Sequence, residues 1–135
     1  MKVNRSELHD FAERYTAAWC SQNPASVAAF FSPDGSLKVN DQSPATGRAA
    51  IAALARAFMA AFPDLHLKME HLTIENDRVI YHWTYSGHHS GPGGTGHRVQ
   101  FSGFENWRIG PDKLIAESLG HFDEREYQRQ LTRGI

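Results

Sequence analysis

Apolar residues recur along the first part of the chain at helical spacing. From Ser6, a residue type that caps helices, Leu8, Phe11, Ala12, Tyr15 and Trp19 fall on one helical face. Asn23-Pro24 reads as a cap followed by proline at the first helical position, and Val27, Phe30 and Phe31 supply the apolar side of a short second helix. A turn at Ser32-Pro33-Asp34-Gly35, a short strand from Ser36 to Val39 and a loop from Asp41 to Gly47 follow. Ile51, Leu54, Ala55, Phe58 and Phe62 then mark a third helix in an alanine-rich background, which Pro63 stops.

After Pro63-Asp64 the period changes from helical to two. Leu65, Leu67, Met69 and His71 share one strand face, and His66, Lys68 and Glu70 the other. Asn76-Asp77 turns the chain into a strand carrying Val79, Tyr81, Trp83 and Tyr85 on one side. The glycine-rich stretch Gly87 to Gly96 leads to Val99, Phe101, Gly103, Glu105, Trp107 and Ile109, again of one parity. Gly110-Pro111-Asp112 turns into a last strand, Leu114 to Phe122, and Asp123 caps a terminal helix holding Tyr127 and Leu131. Three helices before a run of long hairpin-linked strands define an α+β fold, in which helices cover one face of a mainly antiparallel sheet. Strands of ten or more residues coil, most easily at Gly87, Gly103 and Gly120, and a curved sheet under helices leaves a hollow.

Length and charge narrow the partners. The 135 residues suit one domain spanning 1–135, and a net charge of −1 without runs of like charge lacks the footprint of a nucleic-acid binder. The longest apolar stretch, Ala49 to Phe62, is broken by Arg56 and falls short of the roughly 20 residues a membrane helix needs. The first residues carry no signal-peptide core, and a single cysteine, Cys20, fits a reducing cytoplasm.

Glu105 is the most informative residue. Its neighbours of equal parity are apolar, while Arg98, Gln100, Ser102, Asn106 and Arg108 take the other face. A carboxylate on an apolar face is either paired with an arginine or placed at a rim, or it is a buried group whose raised pKa suits acid/base work. Trp19, Phe30, Phe31, Trp83, Tyr85 and Trp107 are read in two ways as well, as core or as the lining of a pocket for a hydrophobic ligand. Of His82, His88, His89, His97 and His121, His121 closes a strand and His89 opens the glycine-rich loop, which makes them the candidates for assisting groups. No spacing of histidines and carboxylates fits a metal site, so no metal is expected. Gly91-Pro92-Gly93-Gly94-Thr95-Gly96 matches G-x-G-x-x-G, but strand alternation resumes at Val99 where a dinucleotide site requires a helix. No nucleophile elbow occurs either.

Several segments together resemble a known family. They are Phe62-Pro63-Asp64-Leu65, Tyr85-Ser86-Gly87-His88-His89-Ser90-Gly91, Thr95-Gly96-His97-Arg98-Val99, Asp112 to Glu117, Phe122-Asp123 and Arg129-Gln130-Leu131. The chain resembles the SnoaL-like polyketide cyclases of the nuclear transport factor 2-like superfamily over nearly its whole length. The resemblance implies a conical roll, a deep hydrophobic pocket, a homodimer and chemistry without cofactors. It also implies an acid/base aspartate on the last long strand, helped by a histidine and an amide. Aligned on Phe101-Ser102-Gly103, Glu105 falls where the family has the amide and Trp107 where it has the histidine, while the aspartate position falls near Gly120. Two functions stay open. One is a proton-transfer cyclase or isomerase on a hydrophobic carbonyl or cyclic substrate, with Glu105 as base, His121 or His89 assisting, and Trp19, Phe30, Trp83, Trp107 and Gly120 around the ligand. The other is a binding or dimerisation domain that transforms nothing. Epoxide opening on the same scaffold requires a second pocket carboxylate, from Glu117 or Asp34.

Overall fold

The structure, a computed structural model, describes residues 4–135. Helix α1 (Arg5–Cys20) is capped by Asn4, two residues before the expected Ser6, and the Asn4 side chain accepts from the Glu7 amide at 2.8 Å. Asn4 and Glu7 are three apart and also bond through their side chains, a capping-box spacing that Ser6 lacks. Helix α2 (Pro24–Ala28) is capped by Asn23 with Pro24 in its first turn. Helix α3 (Arg48–Ala61) ends before Pro63. Helix α4 (Glu124–Arg133) is capped by Asp123, whose side chain accepts from the Glu126 amide at 3.1 Å.

Six strands form one sheet: β1 (Phe31–Val39), β2 (Ala45–Thr46), β3 (His66–Glu75), β4 (Arg78–His88), β5 (Arg98–Ile109) and β6 (Ile115–Phe122). Their order is β2-β1-β6-β5-β4-β3, and every neighbouring pair is antiparallel except β1 with β6. The α+β roll expected from the sequence is therefore present, with a curled, mainly antiparallel sheet under α1, α2 and α3.

Two local readings are corrected. The segment Ser32 to Gly35 is not a turn outside the sheet but an irregular stretch within β1, where the register against β6 shifts between Phe31 and Ser36. In β3 the register shifts between Met69 and His71, so Leu67 and Met69 face Tyr85 and Trp83 while Leu72, not His71, faces Tyr81. One extra residue reverses the parity of everything beyond it. His71 is thereby moved to the outer face, where its ring stacks on His82 at 3.9 Å.

The C-terminal helix closes a gap left by unequal strand lengths. β6 pairs with β5 only as far as Gly103, which leaves the Gln100 backbone without a strand on that side. The buried Gln130 side chain takes its place, accepting from Gln100 N at 2.7 Å and donating to Gln100 O at 2.9 Å.

Candidate functional site

The inner sheet face and the helices enclose a cavity of about 60 Å³. At about 10–15 Å³ per water position this is space for about four to six waters. Trp83, Tyr85, Phe101 and Phe122 form its sheet wall, and Trp19, Leu54 and Phe58 its helix wall. The half-exposed side chains Val39, Leu54, Phe58 and Phe122 mark the mouth. Two glycines shape the interior. A Cβ at Gly103 would stand 2.7 Å from Trp83 Cζ2, so the indole lies directly on bare backbone there. Gly120 faces Glu105 across the β5–β6 register, and a Cβ would come within 3.8 Å of Glu105 Cγ. Glycine at this position keeps the space over the carboxyl group open.

Glu105 lines the cavity at 7 % exposure and, among the described residues, forms no ion pair with a cation. Three neutral donors hold it instead. Its Oε1 accepts from Ser118 Oγ at 2.7 Å, Trp107 Nε1 at 2.9 Å and the Tyr15 hydroxyl at 3.0 Å. Oε2 has only the Tyr15 hydroxyl, at 3.3 Å. An isolated buried carboxylate is strongly unfavourable, and hydrogen bonds to a charged group, about 1.5–3 kcal/mol each, are what offset that cost. Burial pushes the Glu105 carboxyl above its ordinary value, and the bonds from Trp107, Ser118 and Tyr15 pull it partway back. Burial, then the nearby Glu105 charge, raises the Tyr15 phenol well above its ordinary value, so it remains a donor at neutral pH. Tyr81 is raised by burial too, and its hydroxyl bonds Thr16 Oγ1.

The residues singled out from sequence divide into two groups. Glu105, Gly120, Trp19 and Trp83 meet at the cavity. Trp107, Phe30, His121 and His89 do not line it. Trp107 is fully buried deeper in the roll, stacked on Tyr81 at 4.9 Å with the edges of Tyr15 and Phe11 against it. It serves the site through its bond to Glu105. Phe30 packs beyond α1 against Phe11 and Tyr15, under Arg14, and borders a separate surface hollow. His121 lies on the outer face against Phe104, because the inner positions of β6 are Ser118, Gly120 and Phe122. His89 sits on Phe62 and accepts from the Thr95 amide at 3.0 Å, which pins the glycine-rich loop.

The second carboxylate is likewise not at hand: Glu117 is bonded to Arg78 at 3.1 Å and Asp34 is exposed. Among the described residues, no group of three or more His, Cys, Asp or Glu converges as a metal site. Tyr15 and Ser118 were not read from sequence as site residues. Their signal was available in part, since Ser118 has the parity of Gly120 and Tyr15 is the hydroxyl-bearing member of the apolar stripe of α1.

A curled sheet under covering helices is the fold shared with solved proteins described as NTF2-like and ketosteroid isomerase-like. Residues 9–131 match the model of the SnoaL-like polyketide cyclases, and the chain belongs to that family. No curated protein matches the sequence. Among solved structures, AclR from Streptomyces galilaeus is 26% identical, with a TM-score of 0.78, over 95% of this chain and 97% of that one. A hypothetical protein with a ketosteroid isomerase-like fold from Catenulispora acidiphila, in complex with trimethylamine, is 19% identical, with a TM-score of 0.79, over 90% and 91%. SalBIII, an epoxide hydrolase/cyclase-like enzyme in pyran ring formation in the polyether salinomycin, is 12% identical, with a TM-score of 0.78, over 91% and 95%.

Proposed function

We propose that this chain is a cofactor-independent enzyme of cyclase or isomerase type, acting by proton transfer on a small hydrophobic carbonyl compound, with Glu105 as general base. The observation that carries the reading is a carboxyl group held by neutral donors beside an apolar cavity, with its pKa raised by burial. The ionised carboxylate takes a proton from the carbon next to the carbonyl. The C–H pair becomes the enolate, the proton stays on Glu105, and its return to another carbon completes an isomerisation. Dry walls strengthen every dipole aimed at the developing oxyanion. The test is exchange in heavy water, with deuterium at the α-carbon of cyclohexanone and of larger fused ketones read by mass spectrometry. Glu105→Gln is expected to slow exchange at least about tenfold. Above the solvent background measured without protein, the wild-type rate rises with pH as the carboxyl ionises, and the variant's does not. Equal rates would remove Glu105 from the mechanism.

A second reading rests on a different detail. Oε1 already accepts three hydrogen bonds, which is also what a purely structural carboxylate looks like. The domain then binds a hydrophobic ligand and transforms nothing. Pooled metabolites incubated with the protein and analysed by mass spectrometry separate the two readings: a compound recovered unaltered supports binding alone, a consumed one supports the enzyme. The family resemblance also supports a homodimer, and the single cysteine a reducing cytoplasm, checked by light scattering and cell fractionation. Among the described residues, no helix is long and apolar enough to cross a membrane.

A further inference from the structure

The hydrogen-bonding capacity of the cavity is unevenly used. Around Glu105 every donor has an acceptor, but Trp19 Nε1, Trp83 Nε1 and the Tyr85 hydroxyl are buried without a partner among the described residues. Trp19 stands on the helix wall of the cavity; Trp83 and Tyr85, 7 % and 6 % exposed, stand together on its sheet wall. They are neighbours of equal parity on β4, about 7 Å apart along the strand. Trp83 pairs with Gly103 and so stands one pleat from Glu105 along β5, and Tyr85 pairs with Phe101, a pleat further. Folded proteins rarely leave a buried donor unpaired. Two on one wall of one cavity point to acceptors that arrive with a ligand. Burial raises the Tyr85 phenol far above its ordinary value, which keeps it a donor.

We infer that Trp83 and Tyr85 form a recognition subsite for the oxygen acceptor of a compact, uncharged ring, which seats beside Glu105 while any larger remainder leaves through the mouth at Val39 and Phe58. The inference rests on the cavity being the ligand site, as proposed above, and not on Glu105 being a base. Cavity volume limits the seated part to a single ring-sized unit. An aromatic wall with a carboxylate also invites a small ammonium ion. Two features disfavour it. The Tyr85 ring is covered by Phe101, stacked at 4.9 Å, and Glu105 Oε1 is already filled by donors. The Trp83 indole N–H is a donor only, and a cation has no lone pair to accept it.

Three probes of one ring size separate these chemistries: cyclohexanone, cyclohexene and cyclohexylammonium, titrated into protein carrying nitrogen-15 in its tryptophan indoles. The Trp83 indole signal is assigned by its loss in Trp83→Phe. Cyclohexanone is expected to bind about fivefold tighter than cyclohexene and to move the Trp83 N–H signal downfield as a hydrogen bond forms. Tyr85→Phe, which removes one oxygen and keeps the ring, should lower cyclohexanone affinity about threefold and leave cyclohexene unchanged. Equal affinities, an ammonium that binds tightest, an unmoved indole signal, or no binding by any probe would each overturn the inference. Selective ketone binding without deuterium exchange leaves this subsite standing and removes the base. Glu105-dependent exchange with ketone and alkene bound alike does the reverse.

Discussion

Two ends of one sheet face are built from nearly the same side chains and behave differently. At the inner end Tyr15, Phe31, Tyr81 and Trp107 are fully buried and packed ring against ring. Every polar atom named there is partnered, from Thr16 and Tyr81 through Tyr15 to Glu105, Ser118 and Trp107. At the outer end Trp19, Phe58, Trp83, Tyr85 and Phe101 are just as aromatic, yet they surround a hollow. Their donors go unmatched. Aromatic content therefore does not decide between core and pocket. The balance of donors and acceptors does, together with two glycines that withhold side chains where the hollow lies.

The strongest way to break this comparison is to remove an acceptor from the matched end. Glu105→Ala strands three buried donors, and the expected loss is about 3 kcal/mol or more of unfolding free energy. Tyr85→Phe at the hollow end removes a donor that bonds nothing, so stability should stay level or rise, by less than about 1 kcal/mol. Urea unfolding of both variants reads the difference, and similar losses would show the two ends to be alike. Titration adds a sign. Because the Glu105 carboxyl is raised in the folded protein, the native state holds that proton more tightly than the unfolded chain does. This contribution weakens the fold as pH rises from the ordinary carboxylate range through the raised value. Glu105→Gln keeps an oxygen acceptor and should lack that slope.

Smaller, and confined to the hollow end, is the effect of Gly120→Ala. The added methyl occupies space over Glu105 and meets the Lys38 carbonyl oxygen at 3.2 Å, which asks for a slight shift of the backbone. Alanine regains about 0.5–1 kcal/mol over glycine within regular structure, so stability should hardly change. Cyclohexanone affinity should fall about tenfold, the usual consequence of one methyl group in a fitted site. If affinity holds, the space over Glu105 is not where the ring seats.

The faces of β4 and β5 were legible in the sequence; the depth along the roll was not. Period two placed Glu105 with Phe101 and Trp107 and put Trp83 with Tyr85, all correctly. Parity cannot say which inner residue meets the void, because that depends on strand curl and on how α1 and α3 lie across the sheet. Trp107 and Phe30 were grouped with the cavity for that reason. His71 was misplaced by a bulge that carries no sequence mark. His121 is a different case: its outward direction follows from the same alternation that turns Gly120 inward, so its place was readable. Two of the three donors on Glu105, Tyr15 of α1 and Ser118 of β6, lie 90 and 13 residues away, and only the folded register brings them to it.

The mildest test concerns the rim of the hollow end. Asp64, in the turn between α3 and β3, accepts the His88 backbone N–H at 2.7 Å and lies 2.6 Å from its ring Nδ1. Both side chains are 51% exposed, so their charge interaction is worth little. The backbone bond and then the ring bond hold the Asp64 carboxyl below its ordinary value. A depressed carboxylate stabilises the fold above the ordinary carboxylate range and loses that contribution as pH falls through the depressed value. Asp64→Asn keeps an oxygen for the His88 amide, and its expected loss is under about 1 kcal/mol at neutral pH, smaller still in acid, by urea unfolding. Phe62, in the same turn, sets its ring edge-on to Tyr85 at 5.3 Å, so the turn packs against the ring that carries the unpaired hydroxyl. Cyclohexanone affinity should nevertheless be unchanged in Asp64→Asn. A loss as large as that of Gly120→Ala would mean that the turn, rather than the glycine opposite Glu105, sets the shape of the hollow.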